Sequence, residues 1–128
     1  MNADQRNEMA AELERWWLEK AQAEVEATVP KAIEYSATDL FDMGRDLLET
    51  MGRDPDSYSA GEIAELGVYV YLLGKVSRWK GAIKDGRRVS DDTVADISTY
   101  ARIVQRIRDV GGWPGTPINT PISKETQV

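Results

Sequence analysis

An all-α protein with a four-helix bundle-like domain is the fold class that the sequence predicts. Apolar residues recur at helical spacing, capping residues and glycines divide the chain into four segments, and strand signals are lacking. A length of 128 residues with 41% hydrophobic content suffices for one domain with a core. We expect a single helical domain at residues 1–115. The closing stretch from Trp113 onward has three prolines and no periodicity, and we expect a disordered tail at residues 116–128.

Pro30 is predicted to separate the first two helical segments, because proline disfavours a helical conformation at the preceding residue. The first segment, about 4–29, is rich in Ala, Glu, Leu and Lys, and the adjacent Trp16 and Trp17 are its main apolar anchor. The second, about 31–51, places apolar residues on one side and ends before a glycine. Those apolar residues are Ile33, Ala37, Leu40, Phe41, Gly44, Leu47, Leu48 and Met51.

The third and fourth segments have clearer boundaries. Ser59 and Glu62 have the spacing of a capping box, which predicts a helix from about 60 to 85. Its middle, residues 66–73, is apolar all round, which indicates a helix surrounded by others. The fourth helix is predicted to begin after the N-cap Ser90 and to end at Gly111.

Composition excludes several functional classes. With 22 acidic and 16 basic residues the net charge is −6, so we expect no nucleic-acid partner and no binding to anionic lipid through the overall field. The chain has no cysteine and no histidine, so a metal would have to be a hard cation held by oxygen. No stretch approaches the roughly 20 apolar residues of a membrane span, and the N-terminus lacks a signal-peptide core. We therefore expect a cytoplasmic protein without a membrane partner.

Three acidic residues project onto or beside apolar helix faces. In the fourth segment Asp96 lies on the buried side, and Asp92 lies at the edge of that side one turn earlier. In the third segment Glu65 lies in line with apolar residues. An unpaired carboxylate on such a face is costly, so each needs a cation, a metal or hydrogen-bond donors.

Lys75 and Arg78 are the candidate anion-binding residues. They share one side of the third segment with Tyr71 and several small residues, which leave room for a ligand. A guanidinium beside an ammonium suits a phosphate, and it equally suits a neighbouring carboxylate. Tyr71 and Tyr100 fit either the core or a base-stacking role. Glu34 projects at the margin of the apolar arc of the second segment and is a further candidate ligand-binding residue.

Structural roles are open for the same acids. Glu62 can be a capping-box partner, and Asp92 can act in the first turn of a helix, where the macrodipole favours acids. Asp96 and Glu65 can each form an ion pair with Lys75 or Arg78 instead of binding a ligand or metal.

The blocks "EYS", "ELGVYVYLLGKVSRW" and "SDDTVADISTYARIVQRIRDVGGWPG" resemble recurring blocks of small helical phage proteins. These proteins, carried by phages of actinobacteria, are described as MazG-like or nucleotide-modification-associated. The resemblance covers about residues 31–115. It implies an all-α fold, a dimer or tetramer, and acids on two helices that hold Mg²⁺ against the phosphates of a nucleoside triphosphate. By position, Glu62 and Glu65 match the first acidic pair, and Asp92 and Asp96 match the second.

Two functional classes follow, and a third remains open. The first is an enzyme that hydrolyses a nucleoside triphosphate to its monophosphate and pyrophosphate, with the four acids on Mg²⁺ and Lys75 and Arg78 on phosphate. The sequence favours this class, because four acids at two paired positions exceed what two nearby cations need. The second is a binding protein that sequesters a nucleotide, such as a host defence signal, without chemistry. The third is a structural helical assembly protein. The first two classes differ in whether Glu65 and Asp96 face each other or each face a cation.

Overall fold

The structure, a computed structural model, describes residues 1–117 and contains four α-helices. They are α1 (Ala3–Tyr35), α2 (Asp39–Thr50), α3 (Ala60–Lys84) and α4 (Asp91–Val110), with a 3₁₀ turn at Pro55–Ser57. The predicted all-α class is confirmed, and residues 1–117 contain no strand. Residues 118–128, most of the predicted tail, lie outside the described residues. The chain divides into two compact units, one of residues 1–34 and one beginning at Tyr35.

The first unit consists of α1 alone, and here the predicted boundary was wrong. The helix continues through Pro30 to Tyr35, and the chain turns only at Ser36, whose φ is 36°. A proline inside a helix removes one backbone hydrogen bond but does not always end it; the residues that follow Pro30 continue the helical backbone. No residue of α1 is buried, and the Trp16 and Trp17 side chains meet edge to face while more than half exposed.

The second unit is built on a close contact between α2 and α3. Gly44 and Gly67 are both buried there. A Cβ atom at Gly44 would overlap the carbonyl oxygen of Ile63, and one at Gly67 would overlap that of Leu40. The two backbones therefore touch directly, and only glycine at both positions permits this approach.

The core of the second unit lies between α3 and α4. It consists of Ala64 and Val68 from α3 and Ile103 and Ile107 from α4, and Trp113 packs against it from beyond the end of α4. The partly buried side chains around this core also include Leu40, Leu72, Tyr100 and Val104.

The ends of α3 and α4 agree with the predictions. At the start of α3, Ser59 Oγ accepts from the Glu62 amide and Glu62 Oε1 accepts from the Ser59 amide, which completes the capping box. Ser90 Oγ accepts from the Thr93 amide at the start of α4. Gly111, with a φ of 90°, ends α4 in the left-handed conformation that glycine adopts without strain.

Candidate functional site

Two of the four predicted metal ligands lie at helix N-termini. Glu62 is exposed and forms the capping box through a 2.8 Å bond from the Ser59 amide to its Oε1 atom. Asp92 is exposed in the first turn of α4, next to Asp91, where the helix dipole favours a negative charge. Both positions therefore have an ordinary structural explanation.

Glu65 pairs with Arg108, a cation that the sequence analysis did not consider. Arg108 Nε donates to Glu65 Oε1 at 3.0 Å, and Arg108 Nη2 donates to Glu65 Oε2 at 2.7 Å. This two-bond contact raises the pKa of the Arg108 guanidinium, mainly through the hydrogen bond and then through the charge of Glu65. Both carboxylate oxygens of Glu65 are therefore bound by an arginine in the last turn of α4, which fixes the orientation of the carboxylate.

Asp96 forms an ion pair with Lys75, and such a pair was one of the two predicted alternatives for this acid. The Lys75 Nζ atom lies 2.8 Å from Asp96 Oδ2, and the two side chains are 16% and 46% exposed. The lysine is the more buried partner, so the carboxylate compensates for the desolvation of its ammonium group and limits where that group can lie.

Tyr71 and Tyr100 lie next to this ion pair and contact each other. Their rings are stacked with centroids 5.5 Å apart and planes 10° apart. The pKa of the Tyr100 phenol is raised, chiefly by burial and further by Tyr71 and Asp96, while Arg78 opposes the shift. At neutral pH the Tyr100 hydroxyl is therefore neutral and can donate a hydrogen bond.

Arg78 completes a group that we call the α3–α4 cluster: Tyr71, Lys75, Arg78, Asp96 and Tyr100. The three α3 members follow one another at intervals of four and three residues, and the two α4 members are four apart, so each set lies on one side of its helix. Within residues 1–117 the exposed Arg78 makes no hydrogen bond or ion pair, although its charge acts on Tyr100. It is the member of the cluster whose guanidinium is available to a ligand.

Glu34, also predicted as a ligand-binding residue, lies near the end of α1 in the first compact unit and is exposed. The α3–α4 cluster belongs wholly to the second unit.

A register rule explains the contacts of the α3–α4 cluster and indicates that Glu65 lies near the last turns of α4. Since α3 and α4 are antiparallel and joined by a short connection, a step toward the start of α3 corresponds to a similar step toward the end of α4. Four residues back from Lys75 and four forward from Asp96 lead to the stacked tyrosines. Glu65 lies ten residues back from Lys75, and its partner Arg108 lies twelve residues forward from Asp96, which is two residues beyond the position that equal steps give.

The four predicted metal ligands are thus divided among separate structural contacts. In the part of the chain that the structure describes, no three Asp or Glu residues come close enough together to hold a metal ion. What the geometry brings together instead is two cations, one of them fixed by a carboxylate, beside a stacked tyrosine pair. Such a group can bind an anion through charge and hydrogen bonds.

No protein-family model, curated protein or solved structure matches the chain. Among the described residues, no helix is both long and apolar enough to span a membrane.

Proposed function

We propose that the protein binds a nucleotide through its phosphates at the α3–α4 cluster, without hydrolysing it. The observation that carries this proposal is the 2.8 Å pair between Lys75 and Asp96, next to Arg78 and the stacked tyrosines. The cluster combines fixed positive charge with aromatic surface, and these are the two features that phosphate and base recognition use.

The two cations have different roles in this proposal. Lys75 is mostly buried and its charge is balanced by Asp96, so its ammonium group is held at a defined position as a hydrogen-bond donor. Arg78 is exposed and presents a planar fork of donors that matches two phosphate oxygens. The neutral Tyr100 hydroxyl adds a hydrogen-bond donor that carries no charge of its own.

The contacts of the acids favour binding over hydrolysis. A Mg²⁺-dependent hydrolase would need carboxylates from α3 and α4 to converge on one ion. In this chain Glu65 binds Arg108, and Asp96 binds Lys75. Releasing each acid for a metal would leave a cation unpaired, so this arrangement supports a role for Asp96 as the residue that positions Lys75.

The proposal includes a homo-oligomer, a dimer or tetramer, located in the cytoplasm of a bacterial host if the chain is phage-encoded. Its ligand is a nucleotide or nucleotide-derived signal that the protein sequesters. Support for the oligomer comes from α3, where Tyr69 and Leu73 are each 50% exposed in the segment that was predicted to be surrounded by other helices.

Titration calorimetry against a panel of nucleoside mono-, di- and triphosphates and cyclic nucleotides tests this function. We expect at least one to bind the parent protein, and we expect Arg78→Lys to weaken that binding about tenfold, because the charge stays while the bidentate fork is lost. Arg106→Lys is the matched control, since Arg106 is an exposed arginine of α4 outside the cluster; it should bind like the parent.

Three outcomes would contradict the proposal. If no nucleotide bound the parent, the structural assembly role would replace it. Equal nucleotide affinity of the parent and Arg78→Lys would show that Arg78 does not form the bidentate phosphate contact. Release of pyrophosphate from a nucleoside triphosphate would favour the hydrolase.

A further inference from the structure

A second surface of α3 carries an exposed apolar row that we call the α3 stripe. Three of its members, Tyr69, Val76 and Ile83, recur every seven residues and are 50%, 55% and 68% exposed. Leu73, between them, is 50% exposed. The complete stripe, at intervals of three and four residues, is Glu62, Leu66, Tyr69, Leu73, Val76, Lys80 and Ile83.

The stripe lies apart from both the core and the α3–α4 cluster. The core side chains of α3 and the cluster members Tyr71, Lys75 and Arg78 occupy other positions around the same helix. A row spaced by three and four residues is the pattern by which two helices pack against each other. The stripe is therefore a helix-packing surface. Its central members Tyr69, Leu73 and Val76 are each at least 50% exposed within the described residues.

The two ends of the stripe carry opposite charges. Near the start of α3 it contains the acid Glu62, and near the end it contains the base Lys80. Glu62 Oε1 is used in the capping box, while Oε2 has no partner among residues 1–117. In the same part of the chain Lys80 is exposed and makes no ion pair. An acid at one end and a base at the other match a second copy of the same helix running in the opposite direction.

We propose that the α3 stripe is the interface of a homodimer, in which two α3 helices pack antiparallel about a two-fold axis. One register pairs six of the seven members: Glu62 faces Lys80 of the second copy, and by symmetry Lys80 faces Glu62, while Ile83 lies beyond the paired row. The same register places Leu66 opposite Val76 and Tyr69 opposite Leu73. It buries the apolar centre and places opposite charges at both ends.

This interface specifies how the proposed homo-oligomer forms, but it does not depend on nucleotide binding. The stripe and the α3–α4 cluster contain different residues, so a dimer could form without a ligand. Failure of the dimer and failure of the nucleotide proposal are therefore separate results.

Sedimentation equilibrium of the parent and of Val76→Asp tests the interface. We expect a parent dimer, and we expect Val76→Asp to raise the dimer dissociation constant by more than about tenfold, because each interface receives two carboxylates in an apolar centre. Far-ultraviolet circular dichroism should show unchanged helicity. Val94→Asp is the matched control, because Val94 is a valine of α4 outside the stripe and is 44% exposed; its association should equal that of the parent.

Disulfide trapping tests the antiparallel direction of the two helices. The chain has no cysteine of its own, so only the introduced cysteines can form disulfides. Leu66→Cys protein mixed with Val76→Cys protein should oxidise mainly to the mixed dimer, since these positions face each other in the proposed register. Each variant alone should form far less disulfide-linked dimer.

A parent that stays monomeric at high micromolar concentration would overturn the interface, as would a Val76→Asp protein that associates like the parent. Efficient self-linking of Leu66→Cys alone would instead indicate parallel helices and would overturn the antiparallel arrangement.

Discussion

The two halves of α3 differ sharply in what surrounds them. The first half, from Ala60 to Val68, contributes six of the seven buried residues of the helix and packs between α2 and α4. In the second half only Ala82 is buried, and the apolar Val76 and Ile83 are 55% and 68% exposed. The same half contains Lys75 and Arg78.

The difference follows from helix length. At about 1.5 Å per residue, the 12 residues of α2 cover roughly half the length of the 25-residue α3. The first half is thus enclosed by backbone contacts through Gly44 and Gly67, whereas Ala82 is the one buried residue of the second half. Tight packing in this unit is therefore concentrated in the first half of α3, and the two cations of the α3–α4 cluster, Lys75 and Arg78, lie in the second half.

Adding a single methyl group to each half should give the largest contrast. Gly67→Ala places a Cβ against the Leu40 carbonyl oxygen, so we expect it to destabilise the protein by about 3 kcal/mol or more. Gly74→Ala is the matched change in the second half, where nothing lies within 4 Å of the added atom. It should stabilise the protein by about 0.5–1 kcal/mol, because alanine favours a helix over glycine.

Urea unfolding of both variants measures this contrast. Similar losses of stability in Gly67→Ala and Gly74→Ala would mean that the two halves of α3 are equally enclosed, which would contradict the difference in their packing.

Removing the charge of Asp96 should have a moderate effect. Asp96→Asn leaves the mostly buried Lys75 without its counter-charge, and we expect a loss of about 1–2 kcal/mol, below the cost for a fully buried pair because Asp96 is 46% exposed. Asp92→Asn, at an exposed position in the same helix, is the control and should cost clearly less. Equal unfolding midpoints for the two variants would show that the Lys75 pair does not contribute to stability.

A smaller effect is expected from Glu65→Gln. Its partner Arg108 is 69% exposed in its side chain, so water and salt already screen the pair. We expect a lower melting temperature than in the parent, with a decrease smaller than that of Asp96→Asn. Added sodium chloride should reduce the difference from the parent. A decrease larger than that of Asp96→Asn would reverse the order of the two ion pairs.

The smallest effect at neutral pH concerns Tyr100. Its pKa is raised above the ordinary value of 10.0, chiefly by burial, so the folded chain holds the phenolic proton more tightly than the unfolded chain does. The stabilisation from this group is therefore complete below about pH 10 and is lost as the pH rises through the higher folded pKa. Tyr100→Phe should show a smaller decrease in stability in that alkaline range, measured by urea unfolding at a series of pH values. An identical pH dependence of unfolding for the parent and Tyr100→Phe in the alkaline range would contradict a raised pKa of Tyr100.

Local signals predicted the ends of α3 and α4 well. The Ser59 and Glu62 capping box, the Ser90 N-cap and the Gly111 stop all lie where the sequence placed them. Each depends on hydrogen bonds or backbone angles within a few residues, so a short stretch of sequence contains the needed information. The boundary predicted at Pro30 was wrong because proline removes one backbone hydrogen bond from a helix but does not always end it, and α1 continues past this residue.

Longer-range contacts were predicted only in part. The pairing of Asp96 with a cation of α3 was one of the expected alternatives, and Lys75 is that cation. Arg108 was overlooked because it lies 43 residues from Glu65, and only the antiparallel register of α3 and α4 connects the two. Periodicity identifies which side of a helix a residue occupies, but pairing also requires the relative register of two helices.

Whether Asp96 serves Lys75 or a metal is the point on which the proposed function depends most directly. The decisive measurement is pyrophosphate release from the common nucleoside triphosphates by the parent and by Asp96→Asn, with and without Mg²⁺, together with thermal melts of both proteins under the same conditions. We predict no release in any combination and no rise in the parent melting temperature from Mg²⁺ alone. Mg²⁺-dependent release that Asp96→Asn abolishes, with a Mg²⁺ shift seen only in the parent, would contradict the binding role and establish Asp96 as a metal ligand.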